Sequence, residues 1–295
     1  MALGGPVLKQ HYVEFIIDTG VKLDGVVDAT STSGPWTWVV PKDVAKIFVT
    51  GVGAGGGGGN STLSTPSSRG GGGGAAGIGV VFLECAVEPG KTLTVTLGAK
   101  GAALSSGGDT TITNIVLSPF DYTTTLDLKG GANGGTGSNS GGASGSAPYG
   151  ISNGTNAPSN AVTPIAANEP AITYVPDQYG AYIGGFSGAT SGGASTVGST
   201  AGADGGVNRE TMYLHSTMMN AATPGAGDST GTVSRAGGGM GGYSVIGYGG
   251  NGGNAGLDGS DATGYGAGGG GAGGGGATGG SGSNGYVGIF YWSAD

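Results

Sequence analysis

At 295 residues the chain has room for one or two domains. Its 74 glycines and 12 prolines set it beside low-complexity sequence, yet Gly keeps no strict period of three, which excludes a collagen triple helix. A formal charge of −8 carried by only 9% charged residues excludes a basic nucleic-acid surface and is too dilute for a disordered acidic tail, and the single Cys85 excludes an internal disulfide or a paired-cysteine metal site.

The opening MALGGPVLKQHYVEFIIDTG lacks a basic start and an unbroken apolar stretch, so no secretory signal is expected. No run of 18 apolar residues follows, so no membrane insertion is expected either. Within this lead, YVEFIID (residues 12–18) reads as a strand and GVKLDGVV as a turn with a second one. Gly34-Pro35 then breaks the chain. Trp36, Trp38 and Val40 alternate with Thr37 and Val39, the period of a strand. Pro41-Lys42-Asp43 is turn chemistry, and residues 45–52 carry the aromatic and β-branched residues of another strand.

Two runs of five glycines, 55–59 and 70–74, bracket a polar loop. Strand character resumes over residues 77–87. It continues past the Glu88-Pro89-Gly90-Lys91 turn into TLTVTLG, where Leu93, Val95 and Leu97 share one face. TTITNIVL and TTTLDLKG read as two more strands. Leu, Ile, Val and Phe number 36 in residues 1–128 and only 17 in residues 129–295, so the material for an apolar core lies in the first part. From Gly130 onward Gly-rich stretches alternate with longer loops, until YVGIFYW closes the chain with a strong strand pattern. The one helix candidate is the short stretch VNRETMYLHSTMMNAA, residues 207–222.

Glycine loses more backbone entropy on ordering than any other residue, so such runs stay flexible unless backbone hydrogen bonds compensate. A flexible linker is one alternative. Extended helices with three residues per turn, packed side by side, are the other, because their outward N–H and C=O groups can satisfy one another only where Gly and Ala permit close approach. Aromatic residues recur through the region (Tyr149, Tyr174, Tyr179, Tyr182, Phe186, Tyr213, Tyr243, Tyr248, Tyr265), which a linker does not need.

Catalytic patterns are sparse. The only histidines, His11 and His215, sit in unrelated contexts, and Pro89-Gly90-Lys91-Thr92 has Cys85 where a phosphate loop needs its first Gly. GGNAGLDGSD (residues 252–261) approaches a calcium-binding nonapeptide but has Ala255 where Gly belongs and no tandem copies. Neither an enzyme nor a metal or cofactor site is expected.

Three motifs occur in order: Trp38-Val39-Val40-Pro41 leading to Lys46-Ile47-Phe48-Val49-Thr50 and Gly53-Ala54-Gly55; then Glu88-Pro89-Gly90-Lys91-Thr92-Leu93-Thr94-Val95; then Gly285-Tyr286-Val287-Gly288-Ile289-Phe290-Tyr291-Trp292. Together they resemble the glycine-rich domains of bacteriophage tail fibres and adhesins. The expected fold is all-β: a small antiparallel β-sandwich over residues 34–130, closed by a C-terminal strand at 285–295. Residues 131–284 would form an inserted polyglycine-II-like helix bundle with long loops, and residues 1–33 an attachment segment. The resemblance implies a virion protein on a tail or other exposed appendage. It would bind a host surface receptor, a glycan or an outer-membrane protein, and would contact other virion tail or fibre proteins through residues 1–33. A homo-oligomer is implied, with a trimer as the family-level expectation. A purely structural virion protein (head fibre, capsid decoration or tail-assembly component) is the alternative. Loops 60–69, 148–177 and 207–230 are the positions at which such adhesins touch their receptors. Tyr149, Tyr174, Tyr179 and Tyr213, in or beside those loops, are the candidate contacts, since tyrosine offers rigid amphipathic area at low entropic cost.

Overall fold

The computed structural model describes residues 8–29, 34–61, 67–116, 125–137, 172–173, 181–183, 213–214, 217–218, 222–223, 225–226, 228–230 and 233–294. Among them every regular element is a strand. In chain order these are β1 (Lys9–Ile16), β2 (Gly20–Leu23), β3 (Val26–Ala29), β4 (Trp36–Val39), β5 (Lys46–Val52), β6 (Ser67–Ser68), β7 (Gly79–Ala86), β8 (Thr92–Thr96), β9 (Thr110–Thr113) and β10 (Thr125–Leu128). Then come β11 (Ile172–Thr173), β12 (Ala181–Ile183), β13 (Tyr213–Leu214), β14 (Thr217–Met218), β15 (Asp228–Thr230), β16 (Val233–Arg235), β17 (Ile246–Tyr248), β18 (Thr263–Tyr265) and β19 (Tyr286–Ser293).

Two antiparallel sheets share one core. The larger has eight strands in the order β11-β12-β7-β5-β19-β1-β2-β3, and the smaller runs β10-β9-β8-β4. Phe15, Ile47, Val49, Leu83, Val287 and Ile289 of the large sheet meet Trp36, Leu93, Val95, Ile112, Leu126 and Leu128 of the small one in a single buried cluster. The period-two spacing of these residues puts them on the inner faces. Burial of a Leu, Ile or Phe side chain is worth about 1.5–3 kcal/mol, so this cluster dominates the stability of the region. β19 fits between β5 and β1, pairing Ile289 with Val49 on one side and Val13 on the other. The strand at the far end of the sequence is thus central in the sheet. Residues Lys9–Ala29, within the expected attachment lead, supply β1–β3 of the same sheet.

The helical expectations need correction. Among the described residues no helix occurs. The stretch 207–222 carries β13 and β14, paired Tyr213 with Met218 and Leu214 with Thr217. The expected polyglycine-II-like helix bundle over residues 131–284 is likewise not seen as helix among the described residues: the glycine stretches are extended and bond to other stretches. Gly53, Gly56 and Gly59 donate to the carbonyls of Ile78, Ala75 and Gly72 at 2.8–2.9 Å. Gly55, Gly58 and Ser61 donate to Ser283, Gly280 and Ala277, while Ala54 and Gly57 donate to Gly108 and Ser105. The carbonyls of the same stretch accept from Gly101 and Leu104, from Gly131, Gly134 and Gly137, and from Gly269 and Ala272. Donor direction therefore repeats at every third residue, and residues 53–61 sit at the centre of a backbone lattice. A Cβ at Gly55 or Gly58 would collide with the backbone carbonyl of Ala267 or Gly270.

At the margins, side chains replace missing neighbours. Asn251 and Asn254 accept the amides of Thr223 and Ala226, both at 2.8 Å. Asp258 and Asp261 accept those of Thr278 and Ser281 at 2.7 and 2.6 Å. Each pair is three residues apart, the repeat of the lattice itself. The GGNAGLDGSD stretch thus owes its polar residues to backbone capping.

Candidate functional site

Strand alternation that sends Val13, Phe15, Val49 and Ile289 inward sends their neighbours to the outer face of the large sheet. Tyr12 and Glu14 come from β1, Phe48 and Thr50 from β5, Phe82 from β7, and Tyr286, Phe290 and Trp292 from β19. Register sets Tyr12 opposite Phe290, and their rings stack with centroids 4.1 Å apart. Phe82 lies 5.1 Å from Phe290, and Phe48 meets Trp292 edge-on at 5.5 Å. Phe82 arrives there through a bulge. Pairing of β5 with β7 shifts between Val49 and Gly51, so buried Val80 and Leu83 are separated by two outward residues. Phe82 takes φ +50°, a left-handed conformation unusual for a bulky residue, and is 53% exposed.

A cleft of about 400 Å³ opens where this face meets the β17–β18 hairpin. The sheet supplies Tyr12, Glu14, Thr50, Phe82, Tyr286 and Phe290, and the hairpin side supplies Val245, Ile246 and Tyr265. Tyr265 stacks on Tyr286 at 4.8 Å and, with Ile246, packs against buried Ile16 and Val52. Three polar groups converge between the aromatic walls. The Tyr286 hydroxyl donates to Glu14 Oε1 at 2.8 Å, and the Tyr12 hydroxyl bonds to that of Tyr286. Gly288 makes this meeting possible, since a Cβ there would lie 2.6 Å from Tyr12 Oη and 2.9 Å from Tyr286 Oη. Burial, then the bonds to Tyr12 and Glu14, push the Tyr286 phenol far above its usual pKa. Burial likewise raises Tyr12 and Tyr265, so all three phenols stay protonated at neutral pH.

Among its described lining residues the cleft has one carboxylate, Glu14, and no lysine, arginine or histidine. His11 is engaged with Asp24 at 2.9 Å, and Cys85 is buried in the core with its thiol pushed up to about 12 by desolvation. Among the described residues no group of three His, Cys, Asp or Glu side chains is placed to hold a metal ion.

Of the tyrosines singled out from sequence, Tyr149, Tyr174 and Tyr179 lie outside the described residues, and Tyr213 opens the β13–β14 hairpin. Tyr213 is not among the residues that line the cleft. Tyr12, Glu14, Phe82 and Phe290 were not picked out by sequence reasoning, although a signal was present. YVGIFYW is apolar at every position, and a strand apolar on both faces has something to cover on each.

The molecule is therefore an all-β protein with antiparallel sheets and a glycine-rich backbone lattice. A glycine-rich domain family model matches residues 30–292, and the chain belongs to that family. Comparison with curated proteins gives no match.

Proposed function

We propose that this chain is a phage virion protein of the tail-fibre or tail-tip type that attaches the particle to the host surface through loops on a glycine-rich scaffold. The observation that carries the proposal is the period-three pattern of hydrogen bonds around residues 53–61. Amides turning to a new neighbour at each residue and returning at every third fit polyglycine-II-type extended helices packed side by side. Such a scaffold is held by backbone atoms. Loops joining its segments can change in sequence without removing a core contact, which is the property that receptor-binding loops need. Residues 1–33 would carry the contact with other virion proteins or sister chains, with β3 the terminal strand of the large sheet.

The test is binding of fluorescently labelled full-length protein to candidate bacterial hosts, beside variants in which residues 148–177 or 207–230 are replaced by unrelated polar loops. Retention of wild type and loss in a folded variant are expected. Absence of binding to every host that the parent particle infects would leave the chain as a structural virion component.

A further inference from the structure

We propose that the cleft between the outer face of the large sheet and the β17–β18 hairpin is a saccharide-binding site that takes one or two neutral or N-acetylated hexopyranose units. The proposal does not depend on the loops discussed above or on the virion assignment.

Two features of the cleft select a sugar. A pyranose presents a C–H-rich face and an equatorial rim of hydroxyls, so its binding site needs aromatic surface together with a few fixed polar groups. Phe82, Phe290 and Tyr265 supply the aromatic surface, and the volume of about 400 Å³ falls at the small end of ligand sites. Polar groups are supplied by Tyr12, Tyr286 and Glu14. Tyr286 donates to Oε1 of the Glu14 carboxylate. A carboxylate has several acceptor sites, so Glu14 can also accept from sugar hydroxyls, and a hydrogen bond to a charged acceptor is among the stronger neutral-ligand contacts. With the Tyr12 and Tyr286 donors committed in the Tyr12–Tyr286–Glu14 chain, the carboxylate offers acceptors to a ligand rich in O–H donors. Glu14 is the charged group in the described lining, and a carboxylate there disfavours uronic and sialic acids. Neutral and N-acetylated sugars are thereby separated from acidic ones.

Phe82 supports a ligand role by its conformation. A bulky side chain at φ +50° costs about 1–2 kcal/mol relative to an ordinary strand residue. The ring is nonetheless half exposed, so burial returns little for that strain. Strain held where packing does not require it marks positions at which a side chain is presented to something else.

The experiment is retention of the full chain on a printed array of neutral, N-acetylated and acidic oligosaccharides, followed by titration with the best soluble trisaccharide. Phe82→Gly and Glu14→Gln are measured alongside. Phe82→Gly removes the ring while giving φ +50° the residue that tolerates it best, so the variant folds. Wild type is expected to bind neutral or N-acetylated glycans saturably. Each variant should weaken binding about tenfold or more with its melting temperature retained. No retention of wild type overturns the proposal, as does retention of acidic glycans alone. Equal affinity of wild type and Phe82→Gly also overturns it. Host-cell binding without glycan binding would overturn this proposal while leaving the loop assignment standing.

Discussion

The β core and the glycine lattice hold the chain by opposite means. In the core a backbone position is fixed by what its side chain displaces from water: Ile289 is fully buried between two strands and two sheets. In the lattice a position is fixed by having no side chain, and Gly58 donates to Gly280 at 2.8 Å and accepts from Leu104 at 3.0 Å. The entropic penalty of ordering glycine is steep, roughly 1–2 kcal/mol per residue for the backbone alone. A net hydrogen bond returns about 1 kcal/mol. Such a region is stable only if nearly every amide and carbonyl is paired, which accounts for Asn and Asp side chains standing in wherever a neighbouring segment runs out. Tolerance should differ accordingly. The core accepts a smaller side chain at a graded cost, whereas the lattice has no room for a larger one.

The sharpest way to break this comparison is Gly58→Val. The new Cβ meets the Gly270 carbonyl, which is backbone and cannot rotate away. Separation of the segments would strand the Gly58–Gly280 and Leu104–Gly58 bonds, each worth about 1–3 kcal/mol when left unsatisfied in a buried place. A loss of roughly 5 kcal/mol is expected, seen as insoluble protein or a collapsed urea midpoint. A change under about 1 kcal/mol would show that the lattice contributes little to stability.

Next in size is Ile289→Ala, which leaves a cavity in the middle of the large sheet. Its cost should be about 2–5 kcal/mol in urea unfolding. Cys85 gives a local readout of the same event. The thiol is buried and held protonated, so it should label with a thiol reagent only as the core opens, and faster in this variant. If labelling follows Gly58→Val as closely as Ile289→Ala, core and lattice unfold as one unit.

A smaller effect separates the regions by pH. Asp258 is held below its usual pKa by the Thr278 amide and then the Thr278 side chain. Asp24 is lowered by the Tyr12 amide and then His11, and Asp43 by the Ala294 amide and then Ser293. A carboxylate whose pKa is depressed on folding stabilises the native state above the unfolded value. That contribution is lost as pH falls through the folded value. The melting temperature should therefore stay level above about pH 5 and fall below about pH 4, the unfolded aspartate value. Asp258→Asn keeps an acceptor for the Thr278 amide, as Asn251 does for Thr223. It should leave the neutral melting temperature within about 1 °C and make the acid limb shallower. An unchanged limb would show that titration at the lattice margin does not matter.

How much of this was legible in the sequence depends on the kind of contact. Strand β8 follows from period-two spacing in TLTVTLG, with the core positions Leu93 and Val95, and β19 from the aromatic and β-branched run YVGIFYW. The lattice left a real trace in Asn251/Asn254 and Asp258/Asp261. Three-residue spacing of polar caps looks like a metal repeat until the partner amides, 20 or 28 residues away, are known. The cleft was not legible, because its floor joins Tyr12 to Tyr286 across 274 positions. The bulge that turns Phe82 outward depends on how β5 pairs with β7, which no local pattern encodes.

Phe82 gives the smallest expected effect and the finest division between strain and contact. Phe82→Ala removes the ring but leaves a Cβ in the left-handed region, so it keeps the strain and forfeits stacking on Phe290. A loss of about 0.5–1.5 kcal/mol is expected. Phe82→Gly forfeits the same stacking but relieves about 1–2 kcal/mol of strain. Its stability should fall within about 1 kcal/mol of wild type, above that of Phe82→Ala. If the two variants prove equally stable in urea, φ +50° at this bulge is not strained, and exposure of the ring needs no ligand to account for it. If glycine is the more stable, the wild-type chain carries a destabilising phenylalanine on an open face of its sheet. That outcome would favour a role for the ring in contacting something outside the chain, beyond its contact with Phe290.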